Sequence, residues 1–162
     1  MVLARFISPR LQAWIEGKLE GWLKLEINRE KTRKINLQEQ RLDFLGYTFR
    51  YERDLQGRPH RYLNLCPARK ALAREREALR QRINAQQSHT PLPELIERLN
   101  RHLRGWGNYF GLGYPRRAFG QLNHFVRYRL GRHLQRRSQR GWRRREGVSL
   151  DAHLERLGLK AL

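Results

Sequence analysis

Acidic residues are scarce in this chain: 15 Asp and Glu stand against 35 Lys and Arg, which leaves a net charge of +20 over 162 residues and a pI near 11.5. Aspartate is rarer still. Asp43, Asp54 and Asp151 lie far apart and never pair, which argues against two-metal phosphoryl chemistry, where carboxylates must clamp both ions. A single cysteine, Cys66, excludes an internal disulfide and a thiolate metal cage; beside Pro67, at an expected strand-to-helix junction, it reads as structural. The six histidines show no His-x-x-x-His pairing and no cysteine partners, which excludes a zinc finger or a His-Asn-His nuclease module. Nothing marks a nucleophile elbow. No apolar run reaches the ~18 residues of a membrane span and no signal peptide is visible, so the chain reads as soluble and cytoplasmic, with no membrane partner. Its 39% hydrophobic content suffices for a modest core, in one domain or two small ones.

What is abundant is positive charge, unevenly spread. Residues 1–66 hold 13 Lys and Arg against 8 Asp and Glu, whereas residues 67–162 hold 22 against 7. Of those 22 cations 20 are arginine, whose planar five-donor fork grips phosphate and stacks on bases better than a hydrated ammonium. A polyanion is the expected partner, because each neutralised phosphate releases a condensed counterion. RNA suits the arginine bias best, with DNA as the second polyanion.

The opening Met1 to Phe6 is short, apolar and bounded by Ser8-Pro9, which predicts a buried strand. Ser8 is a natural N-cap with Pro9 in the first helical turn. Leu11, Trp14, Ile15, Leu19, Trp22 and Leu23 recur at helical spacing, so residues 9–22 should form an amphipathic helix, weakened at Gly17. Asn28 to Thr32 reads as a turn and Arg33 to Leu37 as a short strand. From Leu42 to Tyr51 apolar and polar residues alternate, the period of a half-buried strand. Turn residues 54–59 followed by renewed alternation over Arg61 to Leu65 predict a β-hairpin.

Beyond residue 66 the period changes. Pro67 opens an Ala-, Arg- and Leu-rich helix that ends in the polar linker Gln86 to Thr90. A second helix carries Leu95, Ile96, Leu99, Leu103, Trp106 and Phe110 on one stripe and stops at the Gly111-Leu112-Gly113 run before Pro115. A third, over residues 115–137, aligns Phe119, Leu122, Phe125, Val126, Leu130 and Leu134. Three amphipathic helices with short connections imply a bundle. The run 136–145 is too charged for a core element, and Ser149 to Leu159 reads as a short capped helix.

Two groups of residues stand out. Arg104-Gly105-Trp106-Gly107-Asn108-Tyr109-Phe110 places two glycines inside a helix at a cost of about 1 kcal/mol each relative to Ala, which close packing of those glycines against a neighbouring helix would offset. Trp106 and Phe110 fall on the apolar stripe and read as core. Arg104, Asn108 and Tyr109 project elsewhere and are candidates for RNA contact. The second group is Asn28-Arg29-Glu30-Lys31-Thr32 with Phe44-Leu45-Gly46-Tyr47-Thr48-Phe49; taken alone, each is an ordinary turn and strand.

Together and in this order these segments resemble the group II intron reverse transcriptase/maturase family. The Asn-x-x-Lys-Thr stretch is similar to a late palm motif, Phe44, Leu45, Gly46 and Tyr47 to the primer-grip hairpin, and Arg-Gly-Trp-x-x-Tyr-Phe to the signature of the maturase-specific, thumb-like domain. In such proteins the catalytic Tyr-Ala-Asp-Asp precedes a strand like Val2 to Arg5, so the resemblance implies that this chain starts after the metal-binding hairpin. Lys31 corresponds to a palm lysine near the nucleotide site; here it reads as a solvated cation or an RNA contact.

The resulting expectation is an α+β chain. Residues 1–66 would be a partial palm made of strand, helix and primer-grip hairpin, and residues 67–162 a three-helix, thumb-like RNA-binding bundle with a basic tail. The resemblance implies binding of structured intron RNA to assist splicing. No catalytic residue, metal ligand or cofactor is assigned, since Mg²⁺ would belong only to a complete enzyme. Two other readings are a subunit that completes a separate fingers-palm chain and a remnant without function. Phosphate would be held by Arg116, Arg117, Arg127, Arg132, Arg136 and Arg137 on the polar face of the third helix. Trp142, inside the basic run, would stack on an unpaired base or sit in a solvated tail.

Overall fold

The computed structural model describes residues 2, 4–54, 57–137 and 147–162. The chain divides into two compact units, residues 1–36 and 37–162.

In the first unit Ser8 caps α1 (Pro9–Gly17), its hydroxyl accepting the Leu11 N–H at 3.1 Å, with Pro9 in the first turn as expected. At Gly17 the helix loosens into a π-helical turn, Lys18–Trp22, the place where glycine's low helix propensity was expected to act. None of the α1 residues is buried, and Trp14 and Trp22 stand 61% and 74% exposed. Among the described residues of the N-terminal segment the expected buried strand is absent: Val2 and Phe6 are exposed, and none of them pairs with another strand. An apolar segment becomes a strand only where a neighbour takes up its backbone hydrogen bonds. The same holds for Arg33 to Leu37, which is irregular. Asn28 to Thr32 is the expected turn, with Asn28 Oδ1 accepting the Lys31 N–H at 3.0 Å and the Asn28 carbonyl accepting the Thr32 hydroxyl at 2.8 Å.

The second unit opens with a three-stranded antiparallel meander: β1 (Leu42–Phe44), β2 (Tyr47–Arg53) and β3 (Arg61–Pro67). The alternation over residues 42–51 therefore spans two strands, as the primer-grip resemblance implied. Leu45 (φ 49°) and Gly46 (φ 81°) make the turn; two successive positive φ values suit the right-handed twist of a two-residue hairpin. The β2–β3 hairpin has the expected strands, with Tyr47 opposite Pro67 and Arg53 opposite Arg61. Pro67 closes β3 rather than opening a helix. The next residue but one starts α2 (Arg69–Arg82).

α3 (Leu92–Phe110) and α4 (Arg116–Arg136) follow, and α5 (Leu150–Arg156) is capped by Ser149, whose hydroxyl accepts the Ala152 N–H at 3.1 Å. Leu79, Ile83, Leu95, Ile96, Leu99, Leu103, Leu122, Val126, Leu130 and Leu154 are almost entirely sequestered and form one core from all four helices. Each such side chain contributes about 1.5–3 kcal/mol by leaving water. A second cluster of Tyr47, Phe49 and Phe110 joins the sheet to α3, and Trp106 touches both cores. A domain boundary at residue 66 would cut through this contact, so by compactness the sheet belongs with the helices.

Two polar devices fix the bundle. Glu75 of α2 is buried and its carboxylate meets His102 Nε2 of α3 at 2.8 Å. Burial raises the Glu75 pKa, and His102 acts in the opposite direction. Along α3 and α4, Asn100 donates to the Gly158 carbonyl at 2.7 Å and accepts the Lys160 N–H at 3.0 Å, while Asn123 accepts the Leu162 N–H at 3.0 Å. The last residues are thus tied to α3 and α4, with Leu159 and Leu162 packed on the core of the bundle.

Candidate nucleic-acid interface

The two motifs singled out in the sequence meet. The Leu45-Gly46 turn docks on the last turn of α3: the Tyr109 hydroxyl donates to the Leu45 carbonyl at 2.9 Å, and the Tyr47 hydroxyl donates to the Tyr109 carbonyl. The Phe110 ring lies 5.1 Å from that of Tyr47, and a Cβ on Gly46 would come within 3.2 Å of it. Tyr109 was expected to face RNA. Its ring is about half exposed, but its hydroxyl is committed to the hairpin. Phe110 is buried and Trp106 half-buried, in line with a core role. Arg104 and Asn108 are exposed.

The glycines of this motif do not pack as expected. A Cβ on Gly107 would meet the Leu162 side chain at 2.8 Å, which belongs to the C-terminal segment and not to a helix; a Cβ on Gly105 would meet nothing within 4 Å. Gly105→Ala should therefore stabilise the protein by about 1 kcal/mol, the difference in helix propensity, in urea unfolding. A loss of stability would show that Gly105 has a packing role the fold does not display.

The six arginines assigned to one face of α4 do not share it. Positions five apart on a helix are about 140° around its axis, so Arg127 and Arg132 look in different directions. Arg127 points toward α5, 3.2 Å from Glu155 and 3.7 Å from Asp151. Arg132 donates to the Tyr128 hydroxyl at 2.9 Å with its guanidinium 5.8 Å from that ring, and this contact lowers the Tyr128 pKa. Arg116 and Arg117 occupy the first turn, Arg136 the last, and Arg137 the C-cap. Among the described residues none of Arg116, Arg117, Arg132, Arg136 or Arg137 pairs with a carboxylate. Trp142 lies outside the described residues, and Lys31 is exposed in the first unit.

Several contributors were not foreseen. α4 contains no acidic residue in 21 positions. By contrast, the outer face of α3 neutralises itself through Arg98–Glu94 at 2.5 Å and Arg101–Glu97 at 3.0 Å. α2 runs parallel to α4 and adds a cation to the same side: Arg76 Nη2 donates to Gln121 Oε1 at 3.1 Å, while the Arg80 guanidinium, paired with Glu77 at 2.9 Å, lies 5.4 Å from the Phe125 ring. Arg129 is structural, donating to the Ile83 carbonyl at 2.7 Å and so satisfying the negative end of α2. His133 beneath it is buried, and burial together with Arg137 lowers its pKa, which favours the neutral ring. The sequence signal for Arg76 and Arg80 was their position at the edge of the apolar stripe of α2, Arg76 four residues after Leu72 and Arg80 three before Ile83.

The α2 and α4 side of the helical bundle therefore carries several arginines without a carboxylate partner among the described residues, and no group of three His, Cys, Asp or Glu there could hold a metal. Residues 72–149 match the family model of the group II intron, maturase-specific domain. That span covers most of α2 and all of α3 and α4, so this part of the helical bundle is similar to the maturase-specific domain of group II introns. The sheet and residues 1–36 lie outside it. No curated protein matches the chain. No helix among the described residues is long and apolar enough to cross a membrane.

Proposed function

We propose that the protein binds group II intron RNA through its helical bundle and assists splicing, without polymerase activity of its own. The maturase-specific match over residues 72–149 carries this reading, and the acid-free α4 supports it. The three separated aspartates leave no paired carboxylates to hold two metals. In this reading residues 1–66 are the end of a palm, and the hairpin docked on α3 is its primer grip. The test is splicing of group II intron RNAs at a Mg²⁺ concentration too low for the RNA alone. Addition of the protein should raise the spliced fraction of at least one intron and leave a self-splicing RNA of another class unchanged; no gain with any group II intron would end this reading. A second reading, a subunit completing a fingers-palm chain, is favoured by the uncovered Trp14 on α1 and Trp22 at the end of the π-helical turn. Primer extension by the two chains mixed would reveal it.

A further inference from the structure

The parallel helices α2 and α4 leave an open groove between them, lined by Arg76, Arg117, Gly120, Gln121, His124 and Phe125. The two helices run in step: Arg76 meets Gln121, Arg80 meets Phe125, and Arg129 reaches the Ile83 carbonyl. Gly120 has nothing within 4 Å of a Cβ position, so the groove stays open at its middle. The half-buried Phe125 contributes an apolar wall, and Arg80 stacks over it.

We infer that this groove holds one single-stranded stretch of RNA; the inference rests on the RNA-binding reading above and names the site and the form of the ligand. Charge selects the ligand class. Arg76, Arg117 and Arg132 face no carboxylate among the described residues, and the α4 wall has no acidic residue to repel phosphate. Width selects the strand number: packed helices have axes about 8–10 Å apart, so the furrow between their side chains accepts one backbone and not a duplex. Length fits a few nucleotides, since Arg117 to Arg132 spans about 22 Å along α4. Level with the end of α2 the row reaches Tyr128, which is 51% exposed and has Arg132 against its ring. An exposed ring with a guanidinium beside it is a platform on which an unpaired base stacks.

The probes are a fluorescent single-stranded uridine octamer and a blunt RNA duplex of the same length, with a folded group II intron RNA as the third ligand. The single strand should bind more tightly than the duplex. Arg76→Gln with Arg117→Gln should lower the salt slope for the single strand by about 1.4, at roughly 0.7 per lost phosphate contact. Tyr128→Ala should weaken the single strand at least about fivefold with no change of slope. The control pair Arg98→Gln with Arg101→Gln, on the self-neutralised face of α3, should leave binding unchanged. All these side chains are on the surface, and thermal unfolding checks each variant. If intron RNA binds but the groove variants behave like the control pair, or the duplex binds as well as the single strand, the groove assignment is overturned and the RNA-binding reading stands. If the unaltered protein binds none of the three RNAs, both fall.

Discussion

Gly113→Ala should cost about 3 kcal/mol or more of stability, enough to lower the unfolding temperature by on the order of 10 °C. Gly113 has φ +77°, a region that costs an L-residue about 1–2 kcal/mol. Its added Cβ would also stand 2.4 Å from the Leu65 carbonyl oxygen and 3.0 Å from the Leu65 nitrogen. Leu65 cannot retreat, because it is paired with Phe49 in the middle of the β2–β3 ladder. Nor can the α3–α4 connection move outward freely: the Tyr114 N–H donates to the buried Asn64 Oδ1 at 3.0 Å, and Asn64 in turn donates to Glu52 at 2.7 Å. Relief of the overlap must therefore separate the sheet from the helices. Gly57→Ala is the control, with a φ of +75° but nothing within 4 Å of its Cβ position; it should show the conformational cost alone. Urea unfolding of the two variants isolates the contact. Equal losses would mean that the sheet does not press on this loop.

How much of this was legible in the sequence depends on whether the deciding partner was near in the chain. Ser8 and Ser149 announced their helices because a cap acts within three residues. The stripes of α3 and α4 became the core because helical spacing needs no knowledge of neighbours. The turn at Leu45-Gly46 escaped residue-level reading: alternation continues through it from Leu45 to Tyr47 to Phe49, and leucine at positive φ carries no turn signal. It was visible only through the resemblance of Phe44 to Tyr47 to a hairpin motif. Among the described residues the strands expected at the N-terminus and at 33–37 are absent, because a strand depends on pairing partners that no local pattern guarantees.

The basic face was legible as a count but not as a surface. Arg127 and Arg129 look like Arg132 in sequence, yet one is held by Glu155, 28 positions on, and the other caps a helix 46 positions back. Such partners are tertiary. Conversely, Arg76 joined the face only because α2 lies parallel to α4. Tyr109 was placed correctly on the surface, while its hydroxyl found the hairpin carbonyl 64 positions earlier.

The claim that this bundle grips RNA by its phosphates is tested most directly by the salt dependence of intron RNA binding. Arg76, Arg116, Arg117, Arg132 and Arg136 are five cations of α2 and α4 that pair with no carboxylate among the described residues. About five contacts to single-stranded or irregular RNA predict a slope of log affinity against log salt near −3.5, at roughly −0.7 per contact. Raising salt from about 50 to about 200 mM should then weaken binding on the order of 100-fold. Arg117→Gln should make the slope shallower by about 0.7, whereas Arg127→Gln should leave it unchanged, because that guanidinium is already held by Asp151 and Glu155. A slope near −3.5 that responds to Arg117 and not to Arg127 is the predicted result; a flat dependence, or equal responses to the two substitutions, would contradict it.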